Sequence, residues 1–116
     1  MRKFRFCALL IPVLCFIGCH STDMVVPSPD NSYHGHYTYG FEVSSFMPCG
    51  SSERWWVSAE TRGLRTQLGE RAGTVYAEVR GEISKRGSYG HLGAYSRELT
   101  VLEVVTTRLP GDKDCQ

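Results

Sequence analysis

The sequence predicts a mainly β protein, a small antiparallel barrel with one short helix, set behind an export segment and a disordered linker. Three observations lead there. From residue 35 onward apolar and polar residues alternate with a period of two over most of the chain. One stretch alone, residues 61–72, carries a helical spacing. The folded part, roughly 80 residues, is too small to supply two packed sheets and a helix layer, so a sheet closing on itself is the economical solution.

Residues 1–18 read as an export signal. Arg2, Lys3 and Arg5 give a positive start, and residues 6–17 form an apolar run broken only by Pro12. A spanning helix needs about 20 apolar residues, more than this run provides. The run closes with Phe16, Ile17, Gly18 and Cys19, which resembles the lipobox of bacterial lipoproteins, although Phe16 stands where leucine is usual. That resemblance implies cleavage after Gly18 and attachment of diacylglycerol to the Cys19 thiol, so the membrane is the first expected partner. Acyl chains contribute about 0.8 kcal/mol per buried CH₂, and several chains make a stable anchor. His20, rather than aspartate, follows the anchor; by resemblance to enterobacterial sorting this implies the outer membrane, periplasmic face, in a Gram-negative host. The alternative is an ordinary signal peptide that happens to end in cysteine.

Residues 19–34 form the lipidated terminus and linker. Serine, aspartate and the prolines at 27 and 29 disfavour both helix and ladder pairing. An edge strand through Met24, Val25 and Val26 is the competing reading.

The domain proper is expected at residues 35–116, with four long strands. In the first, Tyr37, Tyr39, Phe41 and Val43 share one face, and Gly40 marks a bulge or bend. The second, residues 54–60, places Trp55, Val57 and Ala59 on one face and Arg54, Trp56, Ser58 and Glu60 on the other. The third, residues 75–83, turns Val75, Ala77, Val79 and Ile83 inward. The fourth, residues 98–108, is the richest in β-branched side chains. Between the second and third strands, Leu64 and Leu68 stand four apart behind Thr61, a capping residue, which predicts two helical turns kept short by Gly63, Gly69 and Gly73. Residues 85–93 hold three glycines and form a long hairpin loop. A strongly bent antiparallel sheet with one inserted helix describes an OB-like barrel, and a flatter sheet with the helix lying across one face is the alternative.

Of five cysteines, Cys7 and Cys15 leave with the signal and Cys19 is consumed by lipid. Cys49 and Cys115 remain, and in an oxidising envelope they are expected to form a disulfide worth about 4 kcal/mol by loop entropy. Three of the 13 basic residues lie in the export segment, so the mature chain carries ten against 12 acidic ones and is near −2. That balance argues against nucleic acid as a partner.

The run Gly35, His36, Tyr37 to Phe41, then Phe46-Met47-Pro48-Cys49-Gly50 and Trp55-Trp56, resembles the C-terminal OB-fold domain of NlpE-type envelope lipoproteins. Residues 75–82 and 99–104 resemble its closing strands. The resemblance implies the fold, and a link to envelope stress or surface sensing. The family's N-terminal domain with its Cys-x-x-Cys motif is absent from this sequence, so copper and redox roles are not implied.

Four groups of side chains merit attention for chemistry. His34 and His36 lie two apart, with His20 and His91 elsewhere, but no carboxylate or cysteine stands at ligand spacing, so neither a metal nor another cofactor is expected. Trp55 and Trp56 must face opposite sides of a strand: one fills the barrel, and the other either offers a stacking surface for a sugar or peptide or packs beneath a loop. Tyr89 and His91 decorate the glycine-rich loop, a place where barrels often carry recognition. Ser88 and His91 lack a positioned acid, so no catalytic residue is assigned. The leading expectation is a non-catalytic, membrane-anchored interaction or accessory protein whose partner is an envelope protein or a glycan. A glycan or peptidoglycan-fragment binding module is the alternative, and a small periplasmic hydrolase a third.

Overall fold

A computed structural model describes residues 29–58 and 62–116. The export segment, Cys19, His20, most of the linker, and Ala59, Glu60 and Thr61 lie outside the described residues. Five strands, β1 (Ser32–Gly40), β2 (Val43–Pro48), β3 (Trp55–Ser58), β4 (Gly73–Ile83) and β5 (Glu98–Arg108), close into a barrel in the order β1-β2-β3-β5-β4. All pairs are antiparallel except β3 with β5. The sequence-derived expectation of a mainly β chain closing into a small barrel holds.

One expected strand is two. The stretch read as continuous through Phe41 and Val43 turns back on itself, with Gly40 paired to Val43 and only Phe41 and Glu42 between them. Such a turn shifts the inward parity: Tyr33 and Tyr37 are buried in β1, and Phe46 in β2. Neither turn residue is the asparagine or glycine that tight hairpins favour, and Glu42 takes a left-handed φ of 56°. The alternation of tyrosines therefore ran visually across a reversal of the chain. β1 also begins at Ser32, three residues before the expected domain start.

The expected helix is absent. Residues 62–70 form successive turns, closed by Arg65 N–H to Arg62 O at 3.1 Å, Leu68 N–H to Arg65 O at 2.9 Å and Arg71 N–H to Leu68 O at 3.2 Å. Gly69 adopts φ +63°, which ends any regular winding. The leucines still serve the purpose their spacing announced: Leu64 is fully buried and Leu68 packs on the core, plugging the barrel beside Val104 and Gly73. The described helical content is one short 3₁₀ turn, His91–Gly93.

The core comprises Tyr33, Tyr37, Phe46, Trp55, Val57, Leu64, Val75, Val79 and Leu99 with smaller neighbours. Trp55 packs edge-on to Tyr33 at 5.4 Å and stacks on Phe46 at 6.2 Å. Gly35 and Gly81 stand where a neighbouring strand passes so close that a Cβ would strike the Met47 and Thr100 carbonyls. Both are the bends that a small barrel needs. In β5 the register skips Val105 and then Leu102, as Glu78 faces Thr106, Val79 faces Val104, Arg80 faces Glu103 and Gly81 faces Val101. Each skipped residue is turned outward, Leu102 to 68 % and Val105 to 51 % exposure.

Candidate functional site

β3 fixes the two tryptophans on opposite faces. Trp55 is sealed in the core, and its indole N–H finds no partner among the described residues. Trp56 faces outward, and a long loop, residues 84–97, folds over it. Tyr95 lies against its ring at 5.4 Å, and the Gly90 backbone sits so close that a Cβ would collide with the indole. Only glycine permits that approach, and its φ of +68° makes the requirement double. Ser45, opposite Trp56 on β2, is buried although it points outward. The loop thus covers the outer face of β2 and β3, and a sugar stacking on Trp56 must first displace Gly90 and Tyr95.

The loop is a built element. Tyr89 and Tyr95 exchange backbone hydrogen bonds at 2.9 and 3.2 Å, and the Tyr89 hydroxyl donates to Lys85 O at 2.9 Å. At its base Glu53 accepts from Ser96 Oγ at 2.6 Å and pairs with Arg86 at 3.2 Å. Arg97 donates to Ser84 O at 2.8 Å. At its tip His91 Nε2 meets Glu42 Oε2 at 3.0 Å, joining the loop to the β1–β2 turn.

That junction joins two sequence-distant loops that each carry a large exposed apolar side chain next to it in the chain. Phe41 precedes Glu42 and is 88 % exposed; Leu92 follows His91 and is 89 % exposed. Leu92 is also held at φ 55°, a conformation that leucine adopts only at a cost of about 1 kcal/mol or more. Sequence reading missed both. Phe41 was hidden by its place in the alternation, and Leu92 by the absence of any periodicity in a glycine-rich loop. Of the residues singled out from sequence, Trp56, Tyr89 and His91 come together in this assembly, and Trp55 does not.

A second constellation pins the C-terminal tail. Cys49 at the end of β2 is bonded to Cys115, with Cα atoms 5.3 Å apart, so the expected disulfide is present. Asp114 beside it is buried and receives the Gly111 N–H at 2.8 Å, His36 Nε2 at 2.8 Å and an Arg108 guanidinium bond. Burial alone pushes the Asp114 carboxyl up, but these donors outweigh it and hold the pKa at about 2. Arg108 also lies over the Tyr76 ring at 4.1 Å. Burial raises the Tyr76 phenol, Glu78 adds to the rise, and Arg108 opposes it. Between the tail and β4 a cavity of about 380 Å³ opens, lined by His34, Tyr76, Glu78, Arg80, Val105 and Gln116 among others.

The described histidines go to separate places: His36 to Asp114, His91 to Glu42, and His34 to an exposed position on β1. Comparison with protein-family models, curated proteins and solved structures finds no match to this chain.

Proposed function

We propose that the chain is a lipid-anchored envelope protein whose barrel acts as a non-catalytic interaction module, presenting Phe41 and Leu92 as its contact pair. The N-terminal pattern that resembles a lipobox supports the anchor, with Cys19 as the lipidated residue and the outer membrane as its destination. The single observation that carries the interaction role is the exposure of Phe41 and Leu92, about nine-tenths each, on two loop tips joined by the Glu42–His91 contact. Exposed leucine and phenylalanine are unremarkable singly, but here a rigid scaffold holds them out, one against a backbone preference. Three groups that chemistry could use are committed to structural partners: His36 to Asp114, Ser96 to Glu53, and the Tyr76 hydroxyl to Glu78.

Two measurements test this reading. Growth with an alkynyl fatty acid should label the wild-type chain and leave a Cys19→Ser variant unlabelled; label on both refutes the anchor. Phe41→Ser with Leu92→Gly should preserve the folded barrel by circular dichroism while abolishing its contacts in the envelope, as read by in-cell crosslinking to both proteins and lipids. An unchanged crosslinking pattern refutes the contact pair.

A further inference from the structure

We propose that the occupant of the Phe41 and Leu92 pair is the bilayer that carries the anchor, so that the barrel rests on the membrane by the pole where β1 ends. The inference rests on the lipid-anchor reading, and three observations lead from that reading to a bilayer rather than to a protein partner.

The first is shape. A stable protein interface buries about 1,200 Å² or more of complementary surface. Phe41 and Leu92 are isolated prongs at the tips of two loops, 88 % and 89 % exposed, and two side chains offer only a fraction of that area. A bilayer demands no complementary shape, and it accepts apolar tips into the boundary between headgroups and acyl chains.

The second is reach. β1 enters the barrel at Ser32 and runs nine residues to Gly40, about 30 Å, so the prongs stand at the pole opposite the point where the linker joins. Residues 20–31, between Cys19 and that point, have an extended contour length of about 40 Å. A chain held by Cys19 can therefore lay its far pole on the same surface. The tether keeps the bilayer within range at all times, which makes even weak insertion effective.

The third is the composition of that pole. Tyr39 pairs with Gly73 there, the Arg65 guanidinium lies 4.4 Å over the Tyr39 ring, and Ala72 borders Gly40. Arg62, Arg65 and Arg71 are accompanied by Glu42 and Glu70 among the described residues, with Glu42 bonded to His91. The pole carries both signs with arginine in excess, so apolar insertion drives the contact and anionic lipid adds to it. The Glu42–His91 bond brings the two loop tips that carry the prongs to the same pole.

The test uses the lipidated full-length protein reconstituted into vesicles of phosphatidylethanolamine and phosphatidylglycerol. Phe41→Cys, Leu92→Cys and, as a reference on the barrel wall, Leu102→Cys are each labelled with an environment-sensitive fluorophore. Labels at 41 and 92 should shift to the blue and be quenched at least twofold by lipids carrying an acyl-chain quencher, while the label at 102 stays aqueous. The mass of the N-terminal peptide and flotation with the vesicles report the anchor independently. A chain that carries lipid and floats, with labels at 41 and 92 as aqueous as that at 102, overturns the insertion and leaves the anchor standing. A blue shift without lipid quenching overturns it in favour of a second copy or a protein partner. A chain that carries no lipid on Cys19 and does not float overturns anchor and insertion together.

Discussion

His36 Nε2 lies 2.8 Å from Asp114 Oδ2, a contact that spans 78 residues of chain and ties the C-terminal tail to the first strand. Arg108 and the Gly111 N–H complete the shell around that carboxylate. Tail and barrel are thereby one structure, and the disulfide one residue later closes the arrangement covalently.

The Asp114 shell makes stability depend on pH in a defined direction. The folded-state pKa, about 2, lies below the roughly 3.9 of an aspartate in an unfolded chain. Its contribution is therefore complete above about pH 3.9 and is lost as pH falls through about 2. Asp114→Asn should lower stability at neutral pH and flatten the acid limb between those values, as measured by urea denaturation at a series of pH values. An acid limb as steep as that of the wild type contradicts the assignment.

The disulfide joins residues 66 apart in sequence. The chain-entropy model gives such a link about 4 kcal/mol. A Cys49→Ser, Cys115→Ser double variant should lose stability of that order in chemical denaturation, a large share of what a small domain possesses. Alkylation of the folded, non-reduced mature protein should find no free thiol.

The two tryptophans should separate cleanly. Trp55→Ala removes a side chain sealed among Tyr33, Phe46 and their neighbours and should cost about 3–5 kcal/mol. Trp56→Ala should cost less, but should release residues 84–97 from the barrel wall, visible as faster proteolysis within the loop.

Gly90→Ala tests the same seat from the other side. A methyl there meets the Trp56 indole and also strains a φ of +68°, so the loop must lift. The expected signs are a red shift of Trp56 emission and a destabilisation of about 1–3 kcal/mol. An unperturbed spectrum contradicts the packing.

Leu92→Gly should behave in the opposite way. It relieves a left-handed φ of 55° while deleting an exposed side chain. Relief of strain offsets the greater flexibility of the unfolded chain, so stability should hold or rise by up to about 1 kcal/mol. Thermal denaturation checks this, and a clear loss of stability shows that Leu92 is a structural rather than a presented side chain.

Much of the strand content, the shared face of Trp55 and Val57, and the inward assignments of Val75, Ala77 and Val79 were legible because a period of two, buried on one side, leaves a direct trace in residue order. The Cys49–Cys115 pair was legible by elimination. The β1–β2 reversal was not, because Phe41 and Glu42 carry none of the usual turn chemistry and the tyrosine alternation continued in appearance across it. The turns at residues 62–70 imitated a helix because Leu64 and Leu68 obey a spacing that a plug of the barrel satisfies equally well.

The sequence by itself determined most of the strand content, that the two tryptophans face opposite sides, which cysteines are left to pair, and where an anchor of the lipobox type would sit. Those features depend on neighbours in the chain or on simple counts. Only the tertiary structure decided that Trp56 is covered by residues 84–97, that Asp114 is buried among His36, Arg108 and Gly111, and that the loops carrying Phe41 and Leu92 meet at Glu42 and His91. Each of these is a meeting of residues far apart in the chain. Barrel closure brings them together, and contacts between distant segments leave no periodic signal in either segment alone.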